Sequence, residues 1–180
     1  MRIIGGIHRG KRIDVVKGLP VRPTTDFAKE ALFNILNNKL DLDGAEVLDL
    51  FAGTGNIALE CASRGAAVTA VDAHYGCNRF ISDTAKKLEL NINTFKSDVF
   101  KFLAVHHKPY DLVFADPPYD LENIADIHTH VMTNNLLKEG GWLIIEHGPS
   151  TKLETLEHFA EHRKYGNVNF SFFTLNNRKE

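Results

Sequence analysis

The sequence has few of the features that are typical of secreted or membrane proteins. Only two cysteines, Cys61 and Cys77, occur among its 180 residues, and they do not form a Cys-x-x-Cys pair. A disulfide scaffold is therefore not expected, and both thiols should be reduced and buried. No segment approaches the ~18 apolar residues that a membrane-spanning helix needs. The apolar N-terminal run is too short for a signal peptide, so we expect a cytoplasmic protein without a membrane partner.

Internal repeats, low-complexity tracts and a Ser-His-Asp or Cys-His arrangement are also lacking. His128 and His130 are spaced so that a helix would not place both imidazoles on one face, and we expect no metal. A hydrophobic content of 43% and a charged content of 24% are typical of a globular protein, and the length fits one domain.

Charge is distributed unevenly along the chain. Residues 1–39 contain eight basic and three acidic residues and carry +5, so a net charge of −2 leaves −7 for the remainder. A basic N-terminus on an acidic body favours an anionic partner, although a solvated surface hairpin with incidental basic residues is the alternative. The candidate contacts are Arg2, Arg9, Lys11, Arg12 and Arg22.

The first forty residues predict a hairpin followed by a helix. Isoleucines and valines on both sides of a turn at residues 8–10 indicate two short strands within residues 2–16. Residues 24–26 are all good N-caps, so a helix should begin there. Its buried stripe should comprise Phe27, Ala31, Leu32, Ile35, Leu36 and Leu40.

From residue 46 onward, predicted strands and helices alternate. The strands are 46–50, 67–71, 93–96, 110–115 and 142–146, and an antiparallel pair, 161–165 with 169–175, follows them. This order predicts an α/β fold: a doubly wound, Rossmann-like, mostly parallel seven-stranded sheet with an antiparallel C-terminal strand, plus the N-terminal β-hairpin. We assign residues 1–24 to a basic hairpin and loop, and residues 25–180 to the main domain.

A glycine turn follows the first strand and is typical of a nucleotide-containing cofactor. Gly53 and Gly55 allow close approach to the backbone, and Asp72, after the second strand, can accept hydrogen bonds from ribose hydroxyls. Asp98 is placed to cap the next helix and to accept from an adenine amino group. The predicted cofactor contacts are Asp49, Phe51, Gly53, Gly55, Asn56, Asp72, Ala73, Asp98 and Val99.

Two details favour S-adenosylmethionine over a nicotinamide dinucleotide. The third glycine of the dinucleotide pattern is absent, with Ala58 in its place. Asp49, just before the turn, suits a cofactor with an ammonium and a sulfonium, whereas a pyrophosphate would be repelled.

The segment Asp116-Pro117-Pro118-Tyr119 follows the fourth strand and is the predicted catalytic centre. A carboxylate and a rigidly held carbonyl can accept the two N–H bonds of an exocyclic base amine, which directs its lone pair at a methyl group. The prolines should hold that carbonyl without a competing local hydrogen bond. Tyr119 offers a ring for base stacking.

Several blocks of the sequence carry a family resemblance. They are residues 1–6, 9–10, 22–26, 29–36, 49–55, 116–119 and 165–166. In order and spacing they resemble the RsmD family of bacterial 16S ribosomal RNA guanine-N2 methyltransferases. The resemblance implies a class I methyltransferase that uses S-adenosylmethionine, and a hairpin that grips RNA. It also implies 16S rRNA, in an assembled or partly assembled small subunit, as the partner, and we expect a monomer.

The chain departs from the family pattern at two places. Asp72-Ala73-His74 stands where the family has Glu-x-Asp, and Phe27-Ala28-Lys29 stands where it tends to have Arg-Val-Arg. Three other functions remain as alternatives: an NAD-binding oxidoreductase, a DNA amine methyltransferase and a non-catalytic RNA-binding assembly factor.

Overall fold

The computed structural model describes residues 1–20 and 25–175, so the predicted contact Arg22 lies outside the described residues. A seven-stranded sheet runs through the molecule in the order β3-β2-β1-β4-β5-β7-β6. Its strands are β1 (Glu46–Leu50), β2 (Ala67–Asp72), β3 (Ile92–Lys96), β4 (Tyr110–Ala115), β5 (Leu137–His147), β6 (Phe159–Tyr165) and β7 (Val168–Thr174). The first five are parallel, and β7 is antiparallel to both β5 and β6, which confirms the predicted α/β sheet.

Helices cover both faces of the sheet. They are α1 (Asp26–Leu36), α2 (Asn56–Ser63), α3 (Tyr75–Lys87), α4 (Val99–Val105) and α5 (Ile124–Thr133). Alternate residues of each buried strand point to opposite faces, so Val47 packs with α1, α2 and α3, whereas Leu48 packs with α4 and α5. Among the described residues, no helix is long and apolar enough to cross a membrane.

Strand β5 begins five residues earlier than predicted. Leu137 already pairs with Tyr110, and the register shifts before the pairing of Leu112 with Trp142. Gly140 has φ +75°, a left-handed conformation that glycine adopts without strain. The two glycines after Glu139 therefore mark a bulge inside the strand.

The predicted N-terminal β-hairpin is only partly correct. The backbone folds back on itself through hydrogen bonds from Ile3 N to Lys11 O (2.9 Å) and from Ile13 N to Met1 O (2.8 Å). However, the ladder is reduced to one isolated bridge between Arg2 and Arg12, and a 3₁₀ turn spans Gly6–His8. We call residues 1–20 the N-terminal arm.

Helix α2 is the reason why the arm lacks regular strands. The Ser63 hydroxyl donates to Gly5 O (2.7 Å) and accepts from His8 N (3.0 Å), and Ile4 N donates to the Glu60 carboxylate (2.9 Å). Backbone groups that a ladder would pair are therefore satisfied by the side chains of α2.

Helix α1 begins where predicted, and its predicted stripe is buried at Leu32 and Leu36, half-buried at Ala31, Ile35 and Leu40, and exposed at Phe27. The Thr25 hydroxyl accepts from Ala28 N (3.2 Å), which is an N-cap. Phe27, expected in the core, is 67% exposed, and Lys29, one of the eight basic residues of the first 39, is 1% exposed. The prediction for Phe27 was wrong because the buried face includes Ala28, Lys29 and Phe33, and Lys29 contacts Glu60 and Asn56 of α2.

Candidate functional site

A cleft of about 1120 Å³ opens at the carboxyl ends of β1, β2 and β4. The strand order reverses between β1 and β4, which is where open α/β sheets bind ligands. The cleft is lined by twelve of the thirteen residues predicted to be catalytic or to contact the cofactor: Asp49, Phe51, Gly53, Asn56, Asp72, Ala73, Asp98, Val99, Asp116, Pro117, Pro118 and Tyr119.

Gly55 is the predicted contact that does not line the cleft. Its φ is +75°, and a Cβ atom there would lie 2.7 Å from Cγ1 of Ile81. The absence of a side chain therefore lets α2 and α3 approach each other closely. Phe51, at the start of the same turn, has φ +58°, an unusual conformation for a residue with a side chain.

Asp49 connects the strand to the helix that follows the turn. Its carboxylate Oδ2 accepts from Ala58 N (3.0 Å), the third residue of α2, and so acts as a cap from outside the helix. Asp49 is 2% exposed. Burial raises its pKa well above 3.8, and the carboxylates of Asp116 and Asp72 raise it further, whereas the Ala58 amide opposes the shift. A cationic ligand would relieve this cost.

Asp72 shapes the rim of the cleft. Its Oδ2 accepts from Gly53 N (2.8 Å), and its Oδ1 accepts from His74 N (2.8 Å). Each carboxylate oxygen of Asp72 thus accepts a hydrogen bond from the protein backbone. Each oxygen has a second lone pair that can accept from a ribose hydroxyl, as predicted. Asp98 caps α4 by accepting from Lys101 N (3.0 Å), as predicted. Its contact with adenine stays a prediction.

The segment from Asp116 to Tyr119 is held by both neighbouring strands. Asp116 N donates to Leu50 O of β1 (3.4 Å). The Tyr119 hydroxyl donates to Glu146 Oε1 at the end of β5 (3.0 Å), and Glu146 is 3% exposed. Glu146 therefore orients the predicted stacking ring, and nothing in the local sequence identified it.

The two proline carbonyls of this segment differ. The Pro118 carbonyl accepts a local hydrogen bond from Leu121 N (2.9 Å), because the chain turns immediately after Tyr119. The Pro117 carbonyl remains the candidate acceptor for a substrate amine. Gly148 lies beneath the Tyr119 ring, since a Cβ there would lie 3.3 Å from Cδ2 of Tyr119.

The N-terminal arm forms one wall of the cleft, which the sequence did not indicate. Met1, Val15 and Pro20 line it together with Asp26 of α1. They are distant in sequence from the glycine turn, so only the packing of the arm on α2 brings them there.

Carboxylates dominate the charge of this cleft. Its described lining contains no lysine or arginine, and it contains six aspartates: Asp26, Asp49, Asp72, Asp98, Asp116 and Asp120. Within residues 1–20 and 25–175, no group of His, Cys, Asp and Glu side chains is arranged to hold a metal. The Cys77 thiol also lines the cleft, and burial raises its pKa to about 11, so it is protonated at neutral pH.

The basic residues of the arm lie on its surface. Arg9, Lys11 and Arg12 are exposed, and none of them is part of the cleft lining. Arg2 is also exposed, but it contacts the carboxylates of Glu30 (3.1 Å) and Asp26 (3.6 Å). The charge available for a partner therefore resides in Arg9, Lys11 and Arg12, and in Lys17, which is also exposed and outside the cleft lining.

Comparison with known proteins gives consistent matches. The family model described as conserved hypothetical protein 95 matches residues 1–174. Ribosomal RNA small subunit methyltransferase D of Escherichia coli K12 is 36% identical over 148 residues, which cover 81% of this chain and 71% of that protein.

Solved structures show the same architecture. A hypothetical protein of Thermus thermophilus superposes with a TM-score of 0.85 at 25% identity, over 97% of this chain and 99% of that chain. The T. thermophilus 16S rRNA N2 methyltransferase RsmC, solved with AdoMet and guanosine, gives a TM-score of 0.70 at 23% identity, over 87% of this chain and 45% of that chain. The predicted class I methyltransferase fold is confirmed.

Proposed function

The chain belongs to the RsmD family of ribosomal RNA small subunit methyltransferases, and on this premise we propose its reaction. It transfers a methyl group from S-adenosylmethionine to the exocyclic N2 amine of a guanine in 16S ribosomal RNA. We further propose that the substrate is the assembled or partly assembled small subunit and that the enzyme acts as a monomer.

The charge of the cleft is the observation that carries the choice of cofactor. Six aspartates and no described lysine or arginine line it. S-adenosylmethionine brings an ammonium and a sulfonium, both of which carboxylates attract, whereas the pyrophosphate of a nicotinamide dinucleotide would be repelled. The same pattern therefore argues against an NAD-binding oxidoreductase.

Residues of the cleft can be assigned to parts of the cofactor. Asp49 would hold the ammonium group, Asp72 the ribose hydroxyls and Asp98 the adenine amino group. Phe51, Ala73 and Val99 would contact the cofactor from the remaining sides, with the turn at Gly53 allowing close approach. When bound, S-adenosylmethionine supplies an electrophilic methyl group on a positively charged sulfur.

Asp116 to Tyr119 would hold the guanine. The target amine is a poor nucleophile because its lone pair is delocalised into the ring. Asp116 and the Pro117 carbonyl would accept its two N–H bonds, and the Tyr119 ring, fixed by Glu146 at 3.0 Å, would stack on the base. Holding both reactants in line supplies much of the rate acceleration, and the base must leave its stack to reach the cleft.

Methyl transfer to undermethylated small subunits tests this proposal. Asp116→Ala should keep cofactor affinity, measured by calorimetry, and should lower transfer of a tritiated methyl group by about 100-fold or more. Asp126→Ala is the control, because Asp126 is an exposed carboxylate of α5 away from the cleft. Undiminished transfer by the Asp116 variant would remove this residue from the mechanism.

The acceptor needs a separate experiment. Mass spectrometry of 16S rRNA from a strain lacking the protein should show one guanine without its N2 methyl group. Loss of a methyl group from DNA instead would support a DNA amine methyltransferase, and intact methylation of both would support a non-catalytic assembly factor.

A further inference from the structure

The proposed cofactor contains one group, a carboxylate, whose negative charge does not suit the acidic cleft. S-adenosylmethionine carries a carboxylate next to its ammonium group, and a carboxylate facing six aspartates needs a donor or a cation nearby. The described lining contains no lysine or arginine, and its one permanent cation is the N-terminal ammonium of Met1, which donates to Ile13 O (3.1 Å). The other donors that the described lining offers to this carboxylate are neutral, and one of them is hydrogen-bonded to a cation outside the lining.

Lys29 lies directly behind the wall of the cleft. It is 1% exposed, and its ammonium donates to Arg2 O (2.7 Å) and to Asn56 Oδ1 (2.8 Å) and pairs with Glu60 Oε2 (3.2 Å). The other oxygen of Glu60 pairs with the Arg64 guanidinium (2.9 Å). Two cations thus share the Glu60 carboxylate, in a cluster that runs along α2 from Asn56 to Arg64.

Asn56 connects this buried cluster to the cleft. It is the first residue of α2 and lines the cleft, whereas Lys29 does not. Because Oδ1 accepts from Lys29, the group that Asn56 can offer to a ligand is its Nδ2, with two N–H donors. The ammonium also polarises the amide, which strengthens those donors.

We propose that Asn56 receives the amino-acid carboxylate of S-adenosylmethionine and that Lys29 is the positioning residue that orients Asn56 for this contact. The inference rests on the proposed cofactor and deepens it. Because Lys29 also donates to Arg2 O, it connects the arm to cofactor binding. The sequence predicted Asn56 as a cofactor contact without naming the part of the cofactor that it binds, and it predicted no ligand role for Lys29.

A pair of ligands separates this contact from general effects on the site. Decarboxylated S-adenosylmethionine keeps the sulfonium and the amine but lacks the carboxylate. Asn56→Ala should weaken binding of S-adenosylmethionine by about 10-fold or more, as expected for a lost hydrogen bond to a charged group. Its affinity for the decarboxylated ligand should stay close to that of the wild-type protein, with calorimetry as the readout.

Lys29 is tested with the same two ligands. Lys29→Gln should give the same selective loss, and Lys29→Arg, which keeps a buried cation, should restore most of the affinity for S-adenosylmethionine. Thermal unfolding of each variant identifies any that fails to fold. If the Lys29 variants do not fold, Asn56→Ala still tests the contact with the carboxylate. Asn34→Ala, at an exposed asparagine of α1, is the matched control.

The outcomes are distinct. Equal weakening of both ligands by Asn56→Ala, or no weakening of either, would overturn the carboxylate contact. A selective loss with Asn56→Ala but unaltered binding with a folded Lys29→Gln variant would overturn the positioning role. Failure of the wild-type protein to bind either ligand would instead contradict the proposed function.

Discussion

At the scale of single residues, the site contains buried charges that are costly without a ligand. Asp49 is 2% exposed and has the Ala58 amide as a hydrogen-bond donor, with the carboxylates of Asp116 and Asp72 nearby. A buried carboxylate beside other carboxylates destabilises the folded protein, and the same arrangement favours a cationic ligand. Such a loss of stability is common at binding sites. Removing the charge should therefore stabilise the fold and weaken the site.

Asp49→Asn should make this cost measurable as a function of pH. Burial holds the pKa of Asp49 above 3.8 in the folded state, so the folded protein binds the proton more tightly than the unfolded chain does. Below pH 3.8 the carboxyl is protonated in both states and costs nothing. As the pH rises above this value, the unfolded chain ionises first and the wild-type protein loses stability.

Urea unfolding at about pH 4 and about pH 7 measures the difference. The stability advantage of Asp49→Asn should be small at the lower pH and larger at the higher one, while its affinity for S-adenosylmethionine falls. An asparagine can still accept from Ala58 N, so the cap is kept. A stability difference that stays constant with pH would contradict the buried-charge interpretation.

At the scale of elements, the main feature is the attachment of the N-terminal arm to α2. Ser63 and Glu60 satisfy backbone groups of the arm, and His8 Nε2 hydrogen-bonds to Leu88 O beyond α3 (2.7 Å). Because the arm also lines the cleft, its attachment and cofactor binding should depend on each other.

Two glycines of the arm provide a matched pair of substitutions. Gly6 and Gly10 have φ +73° and +84°, so alanine should cost about 1–2 kcal/mol of conformational strain at either position. At Gly6 a Cβ would lie 1.8 Å from the carbonyl oxygen of Ser63, whereas at Gly10 it would meet nothing within 4 Å. Overpacking at Gly6 should add about 1–3 kcal/mol.

Hydrogen exchange locates the effect. Gly6→Ala should speed amide exchange at residues 1–13 and weaken cofactor binding, and Gly10→Ala should do neither to a comparable extent. Equal behaviour of the two variants would show that contact between the arm and α2 does not hold the arm in place.

At the scale of the whole molecule, acidic and basic residues lie in different places. The cleft is acidic, whereas Arg9, Lys11 and Arg12 project from the surface of the arm outside it. We infer that the arm holds the phosphate backbone while the acidic cleft selects a cationic cofactor. Such a division would let one small protein bind a polyanion and a cation at neighbouring places.

Neutralising the arm should change the salt dependence of RNA binding. Replacing Arg9, Lys11 and Arg12 by glutamine should weaken binding to an RNA fragment and lower the salt slope by ~0.7 for each lost phosphate contact on a single strand. The control replaces Lys101, Lys108 and Lys138, an equal charge outside the arm. An unchanged slope in the arm variant, or the same change in both, would show that the arm is not the docking surface.

Local patterns were sufficient to predict the order of strands and helices, the glycine turn and twelve of the residues that line the cleft. These features depend on neighbours in sequence: alternation of buried residues, an N-cap at Thr25, and glycines where φ is positive. Parallel strands then bring their carboxyl ends to one edge, so motifs that follow different strands must meet there.

Contacts between distant segments were decided only by the tertiary structure. The pairing of Lys29 with Glu60, the hydrogen bond of Tyr119 to Glu146 and the wall formed by Met1, Val15 and Pro20 join residues far apart in sequence. Hydrophobic periodicity places a lysine on the surface unless a buried partner is known. Which residues are buried together is a property of packing, because desolvation and pairing depend on the whole set of neighbours.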